Sequence, residues 1–85
     1  MNILVLNCGS SSVKYQLIES GEQKTLARGG IERIGMDGAT LTNVRYDGDE
    51  IKIAGEIVDH ISAIEYILAV LLSRNHGVIN EKSDI

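Results

Sequence analysis

The 85-residue chain has no proline, no tryptophan and no phenylalanine, and its single cysteine is Cys8. One cysteine cannot form an intramolecular disulfide, which fits a reducing compartment. Three tyrosines are the only aromatic residues, so little is available for stacking nucleic-acid bases. The 12 acidic residues outnumber the 8 Lys and Arg residues, which argues against the basic footprint of a general nucleic-acid binder. A local phosphate site remains compatible with this charge.

Long apolar runs are missing as well. The longest covers residues 67–72 and is far shorter than the roughly 20 residues that span a bilayer. The apolar N-terminal segment has no basic residue before it and stops at Asn7, so a secretory signal peptide is not indicated. The sequence therefore predicts a soluble cytoplasmic protein that binds neither nucleic acid nor membranes.

Short apolar and alternating segments in the first half predict an antiparallel sheet. Residues 3–6 form a continuous apolar run, which predicts a strand buried on both faces. Residues 13–18 alternate between apolar and polar, which predicts a second strand paired with the first as a hairpin. Residues 25–34 predict a third strand, in which Gly29 and Gly30 indicate a bulge or a close backbone approach.

The second half predicts a further hairpin and one helix. Residues 40–46 and 50–54 flank an Asp-Gly-Asp segment, a strong hairpin signal, and we expect this hairpin at the edge of the sheet. A helix is then predicted from a start at residues 56–59 to an end near residue 75, with Asp59 as its N-cap. A capping box at residues 62–65 is an alternative start. The apolar stripe of the predicted helix is expected to pack into the core and consists of Ile57, Ile61, Ile64, Leu68 and Leu71.

The turn between the first two predicted strands carries the candidate site. Such a turn presents successive backbone N–H groups, and Gly9 lets a ligand approach the backbone because it has no Cβ. Ser10 and Ser12 add hydroxyl donors and Lys14 adds a positive charge, which together suit a phosphate group. Asn7 offers an amide oxygen, a ligand type that suits Mg²⁺ beside phosphate oxygens.

Simpler interpretations of the same residues remain open. A Ser-rich hairpin loop is common in itself, and Asn7 can bond its own turn at the end of a strand. The segment is not a P-loop, because Val13 and Tyr15 stand where Gly and Ser/Thr are required, and a strand follows it instead of a helix. Cys8 is expected to be a half-buried filler without chemistry. His60 is expected to be a surface or capping residue, and its separation from His76 does not fit a zinc site.

A longer sequence pattern around the loop resembles that of a known protein family. N-x-G-S-S-S-x-K-[YF] over residues 7–15, directly after a short apolar strand, resembles the first signature of the acetate kinase family. This family belongs to the superfamily of acetate and sugar kinases, heat-shock ATPases and actin. Residues 30–35, the pair Asp59-His60 with the apolar helix after it, and residues 77–79 are also similar to the family. The resemblance covers essentially the whole chain, with Cys8 where many members have Ala.

The resemblance implies an α/β fold, namely the N-terminal part of an RNase H-like actin/kinase domain. This part is expected to be a mainly antiparallel sheet with an added β-hairpin and one long helix. Because family chains are several times longer, residues 1–85 are expected to form an incomplete nucleotide-phosphate-binding domain. A later strand of the family would pair with residues 3–6, so this strand is expected to be an exposed edge here.

The resemblance also implies an activity: reversible transfer of the ATP γ-phosphoryl group to acetate, giving acetyl phosphate and ADP, with Mg²⁺, in a homodimer. By carry-over, Asn7 helps to hold Mg²⁺, Ser10 and Ser12 contact phosphate beside Gly9, and Lys14 contacts the ATP phosphates. No catalytic residue falls in residues 1–85, and this piece alone is expected to be inactive. The alternatives are a propionate or other short-chain acyl kinase, a non-catalytic phosphate-binding module and a purely structural unit.

Overall fold

Alternating residues and tight turns fold the first two thirds of the chain into one antiparallel sheet. The computed structural model describes residues 1–73, 77–79 and 85. The elements are β1 (Asn2–Cys8), β2 (Val13–Glu19), β3 (Lys24–Glu32), β4 (Thr40–Arg45), β5 (Glu50–Ala54) and α1 (His60–Leu72). The strands lie in the order β1-β2-β3-β4-β5, each antiparallel to the next. The expected α/β architecture is thus confirmed, and the added hairpin β4–β5 continues the sheet at its edge.

The sheet has one covered and one open face, because successive side chains of a strand point to opposite sides. On β2, Val13, Tyr15 and Leu17 are buried while Lys14 and Gln16 are exposed, as the alternation predicts. The apolar residues of the covered face form one core with α1. The side chains on the open face include Lys14 and have no helix against them in the described part of the chain.

β1 is one of the two edge strands of the sheet, and the expectation that it is buried on both faces is wrong. Ile3 is 43% exposed and Val5 46% exposed, whereas Leu4 packs partly against the core. Within the described residues, β1 pairs with β2 alone. The expected exposed edge at residues 3–6 is therefore confirmed.

The glycine pair of β3 marks a close backbone approach, the second of the two predicted alternatives. A Cβ on Gly29 would lie 2.0 Å from the Thr42 carbonyl oxygen and 2.9 Å from the Tyr15 hydroxyl. The absence of this Cβ leaves room for the Tyr15 hydroxyl to donate a hydrogen bond to the buried Asn43 side chain. Burial raises the pKa of Tyr15, which keeps the hydroxyl protonated as a donor. The register shift of β3 lies instead opposite the Leu17–Ile18 step.

α1 begins where the sequence places its N-cap. The Asp59 carboxylate accepts a hydrogen bond from the Ser62 N–H at 2.8 Å, and this bond lowers the pKa of Asp59. The alternative start at residues 62–65 is therefore wrong. α1 ends at Leu72, with Ser73 as its C-cap. The predicted end near residue 75 and the predicted position of His76 lie outside the described residues.

The buried face of α1 differs from the predicted stripe. Ile61 is 71% exposed, and Ile64 and Leu68 are half-buried. The buried residues of the helix are Ala63, Ile67, Val70 and Leu71. Because α1 is apolar around most of its circumference, spacing alone does not select the packed side. At 13 residues, α1 is too short to cross a membrane, and the described residues contain no helix that is long and apolar enough to do so.

Candidate functional site

The loop between β1 and β2, residues 9–12, is a tight turn that closes on itself and is named the β1–β2 loop below. The Gly9 N–H donates to the Ser12 carbonyl oxygen at 2.8 Å. A Cβ on Gly9 would lie 2.8 Å from the Ser12 Oγ, closer than real contacts allow. Gly9 does not have a positive φ. Its role is therefore to leave space for the Ser12 hydroxyl.

Two distant segments fasten the β1–β2 loop to the rest of the fold. The Ile34 N–H, just after β3, donates to the Ser11 carbonyl oxygen at 2.9 Å. The Nε2 atom of His60, the first residue of α1, lies 2.7 Å from the Gly9 carbonyl oxygen. Together with the turn closure, these contacts engage the carbonyl oxygens of Gly9, Ser11 and Ser12. Three of the four carbonyl oxygens of residues 9–12 are thus held by the protein itself.

The donors of the β1–β2 loop are not used in the same way. In the part of the chain that the structure describes, the hydroxyls of Ser10, Ser11 and Ser12 donate to no protein atom. The N–H groups of Ser10 and Ser11 also have no protein acceptor there. Ser10 is exposed, and the other two serines are half-buried. A turn with engaged carbonyls and several available N–H and O–H donors is suited to bind an anion.

Asn7 and Lys14 lie side by side at the base of the loop. They are register partners in the β1–β2 pair, and directly opposed residues of an antiparallel pair point to the same face of the sheet. Their Cα atoms are therefore about 5 Å apart. Both side chains are exposed on the open face. The amide of Asn7 and the ammonium group of Lys14 thus belong to opposed positions on the same face, at the end of the sheet that carries the loop.

A shallow depression of about 770 Å³ extends from this pair across the open face. Its floor includes Gly30, which lies between Lys14 on β2 and Thr42 on β4. Its lining carries three cationic side chains, Lys14, Arg28 and Lys52, and one acidic side chain, Glu32. The surroundings of Lys14 are therefore positively charged although the chain as a whole is acidic.

The donor set suits Mg²⁺ only together with a bound phosphate. The described residues contain no group of three or more His, Cys, Asp or Glu side chains that could hold a metal ion. Mg²⁺ prefers oxygen ligands and keeps several waters, so it is often bound through one or two protein groups and the phosphates of a substrate. The exposed amide oxygen of Asn7, next to the loop donors, fits the role of that single protein ligand.

The hairpin end brings together every site residue named from the sequence: Asn7, Gly9, Ser10, Ser12 and Lys14. Their roles toward ligands stay predictions. His60 was missed, because it was expected at the surface or in the helix cap and instead contacts the loop. No sequence signal links it to Gly9, which lies 51 positions earlier. Cys8 is exposed and not half-buried as expected, because its strand lies at the edge of the sheet.

Comparison with known proteins gives the family of the chain and structures that resemble it. A model of the acetokinase family matches residues 2–85. Acetate kinase of Clostridium botulinum (strain Hall) is 47% identical over 85 residues, and acetate kinase of Azobacteroides pseudotrichonymphae genomovar. CFP2 is 45% identical over the same length. Each alignment covers 100% of this chain and 21% of the relative. The chain thus spans about a fifth of the length of the curated relatives it matches.

Two crystal structures show the same arrangement of sheet and helix. The structure of Porphyromonas gingivalis acetate kinase matches with a TM-score of 0.94 and 39% identity, over 99% of this chain and 21% of that one. The structure of a propionate kinase from Francisella tularensis subsp. tularensis SCHU S4 matches with a TM-score of 0.76 and 31% identity. That match covers 88% of this chain and 19% of the other.

Proposed function

Because this chain belongs to the acetokinase family, we propose that residues 1–85 form the nucleotide-phosphate-binding N-terminal part of an acetate kinase. The whole enzyme transfers the γ-phosphoryl group of ATP to acetate, reversibly, and yields acetyl phosphate and ADP. It acts as a homodimer in the cytoplasm, a compartment compatible with the exposed free thiol of Cys8.

One observation carries the proposed phosphate site. The β1–β2 loop engages the carbonyl oxygens of Gly9, Ser11 and Ser12 within the protein and leaves its serine hydroxyls and the N–H groups of Ser10 and Ser11 without protein acceptors among the described residues. Lys14 adds a positive charge within reach of the same hairpin end. This combination of N–H, O–H and ammonium donors suits the oxygens of a phosphate group.

Each residue has a defined task in this proposal. Lys14 and the donors of Ser10 and Ser12 bind and orient the ATP phosphates, and Gly9 keeps the loop tight enough for the ligand to approach its backbone. Asn7 holds Mg²⁺ through its amide oxygen. When bound, Mg²⁺ neutralises charge on the phosphate oxygens. Phosphoryl transfer needs such groups on several sides, so the residues that bind the acid belong to other parts of the protein.

The similarity to a propionate kinase supports a second candidate, a kinase for propionate or another short-chain acid. Acetate is favoured because the acetate kinases match with higher identity, and the acetate kinase structure matches with the higher TM-score. Comparing kcat/KM for acetate and propionate in the whole protein decides between the two. A higher value for propionate would replace acetate as the proposed acceptor.

Substitution of the two open-face residues tests the site. In the whole protein, Lys14→Ala and Asn7→Ala are each expected to lower kcat/KM for ATP by about 100-fold, because each removes a charge-assisted contact to the phosphates or to Mg²⁺. The melting temperature should change little, since both side chains are exposed. The Asn7→Ala enzyme should also need more Mg²⁺ for half-maximal activity.

Matched controls come from the other end of the same sheet. Asn2→Ala in β1 and Lys24→Ala in β3 remove the same residue types far from the loop, and they should leave kcat/KM for ATP unchanged. Near-normal turnover of both Lys14→Ala and Asn7→Ala would contradict the proposed site. An equal loss in the control variants would assign the effect to general charge or folding and would contradict it too.

A further inference from the structure

His60 connects the first turn of α1 to the β1–β2 loop. Its Nε2 atom lies 2.7 Å from the Gly9 carbonyl oxygen, across 51 positions of sequence. A carbonyl oxygen only accepts hydrogen bonds, so the Nε2 atom carries the proton and donates. The contact is therefore a directed hydrogen bond from helix to loop.

The backbone that carries His60 is itself fixed. Asp59 caps the helix through the Ser62 N–H. Just before it, the carbonyl oxygen of the buried Ile57 accepts a hydrogen bond from the Gly35 N–H at 2.7 Å. The imidazole thus projects from a segment tied down by a cap on one side and by a backbone hydrogen bond on the other, which makes it a rigid support for the loop.

The geometry of the peptide unit gives this support a consequence for ligand binding. In a trans peptide the C=O and the next N–H point in opposite directions, and the described residues contain no cis peptide bond. Holding the Gly9 carbonyl toward His60 therefore turns the Ser10 N–H away from α1. This is one of the N–H groups of the loop with no protein acceptor in the described chain.

We infer that His60 is a positioning residue for nucleotide binding: its hydrogen bond to Gly9 sets the orientation of the 9–10 peptide and so aims the Ser10 N–H at a phosphate of ATP. The inference rests on the proposed function for the identity of the ligand. The Gly9–His60 contact itself is a feature of the fold and can be measured without the ligand.

Two amide substitutions at position 60 test whether the position of the N–H donor matters, and not only the presence of a polar side chain. Glutamine places its amide nitrogen near the position of the imidazole Nε2, whereas asparagine reaches only about as far as Nδ1. In the whole protein, His60→Asn should raise the KM for ATP about tenfold, the size of one lost hydrogen bond, and leave the KM for acetate unchanged. His60→Gln should restore most of the affinity for ATP.

Melting temperatures and a third variant test whether the effect comes from the lost donor or from a loss of stability. His60→Gln and His60→Asn should melt within a few degrees of each other, since neither removes a buried apolar group. His60→Ala supplies a third variant that lacks the donor and keeps good helix propensity. It should behave like His60→Asn. Equal KM values for ATP in the Gln and Asn variants would overturn the positioning role.

A measurement without nucleotide separates this inference from the proposed function. The ¹³C signal of the Gly9 carbonyl and the hydrogen exchange of the Ser10 N–H should shift in His60→Asn and remain near wild type in His60→Gln. If both shift as expected while ATP affinity stays constant, the positioning role is wrong although the contact exists. If Lys14→Ala and Asn7→Ala keep normal turnover, the phosphate site itself is wrong, whatever the carbonyl signal shows.

Discussion

The β1–β2 and β4–β5 loops, two of the four connections between adjacent strands of the sheet, are held in different ways. The β4–β5 loop, residues 46–49, is closed mainly by side chains at the turn: the Asp47 carboxylate accepts from the Arg45 guanidinium at 2.8 Å and 3.0 Å and from the Asp49 N–H at 3.1 Å. A backbone hydrogen bond to a distant segment runs from the Tyr46 N–H to the Leu26 carbonyl oxygen, at 2.9 Å. Gly48 adopts a φ of +90° and donates its N–H to the Arg45 carbonyl oxygen. The β1–β2 loop is instead held from outside, by Ile34 and His60.

The difference separates a loop that serves the fold from a loop suited to a ligand. At the β4–β5 loop, the side chains of Arg45 and Asp47 form hydrogen bonds within the turn itself. In the β1–β2 loop, Ile34 and His60 engage the carbonyl oxygens of Ser11 and Gly9, and the serine hydroxyls have no protein acceptor among the described residues. Because distant residues orient the β1–β2 loop, its conformation depends on the whole sheet and on α1. The same contacts hold the N–H and O–H donors of the loop in a fixed arrangement before a ligand binds.

The largest expected effect comes from breaking the sheet between the two hairpins. A Cβ on Gly29 would lie 2.0 Å from the Thr42 carbonyl oxygen, so Gly29→Ala forces β3 and β4 apart. It also disturbs the Tyr15–Asn43 hydrogen bond in the core. We expect a loss of about 3 kcal/mol or more in the free energy of unfolding, measured by urea denaturation.

Gly55→Ala is the control for this substitution. A Cβ on Gly55 would meet only the Tyr66 hydroxyl, at an ordinary 3.6 Å, and its φ is not positive. This variant should unfold close to the wild-type urea concentration. If Gly29→Ala were as stable as Gly55→Ala, the close packing of β3 against β4 would not be what joins the hairpins.

A glycine-to-alanine substitution in each of the two loops tests the comparison directly. Gly48→Ala places a Cβ at a φ of +90° with no atom within 4 Å, so it should lower stability by about 1 kcal/mol and leave the KM for ATP unchanged. Gly9→Ala has no such backbone strain but displaces the Ser12 hydroxyl. It should raise the KM for ATP about three- to tenfold with a smaller change in stability.

The same two assays, melting temperature and KM for ATP, are applied to both variants. We expect Gly48→Ala to lose mainly stability and Gly9→Ala to lose mainly affinity for ATP. Parallel losses in both variants would mean that the loops do not divide structure and ligand binding between them.

Local sequence is sufficient where a feature is local. The Asp-Gly turn predicts the β4–β5 hairpin because Asp47 and Gly48 supply the whole turn. The alternation of residues 13–18 predicts the covered face of β2, because successive side chains of a strand point to opposite faces. Asn7 and Lys14 are placed together by a hairpin that the sequence also predicts.

The misses involve contacts between distant segments. His60 meets Gly9 across 51 positions, and no residue near either one signals the contact. The packed side of α1 is chosen by the sheet beneath it, and an apolar helix does not specify that choice, so Ile61 was wrongly assigned to the core. The apolar run of β1 specifies a strand, but its burial depends on neighbours that its own residues do not encode.

The smallest expected effect concerns the charge that closes the β4–β5 loop. Hydrogen bonds from Arg45, and next from the Asp49 N–H, lower the pKa of Asp47 to about 2. A carboxyl group in the unfolded chain titrates near 3.9. Because the folded state has the lower pKa, the ionised carboxylate stabilises the fold above pH 4, and this contribution disappears as the pH falls through about 2.

Asp47→Asn removes this charge and keeps the shape of the side chain. Near neutral pH the variant should melt about 2 °C or less below wild type, because an exposed ion pair contributes little and is screened by salt. The difference should shrink as the pH falls from about 4 to 2 and as salt is added. Ser10→Ala in the β1–β2 loop removes no charge, so any difference in melting temperature should not follow this titration. A pH-independent difference for Asp47→Asn would mean that the shape of the turn, and not its carboxylate charge, holds the β4–β5 loop closed.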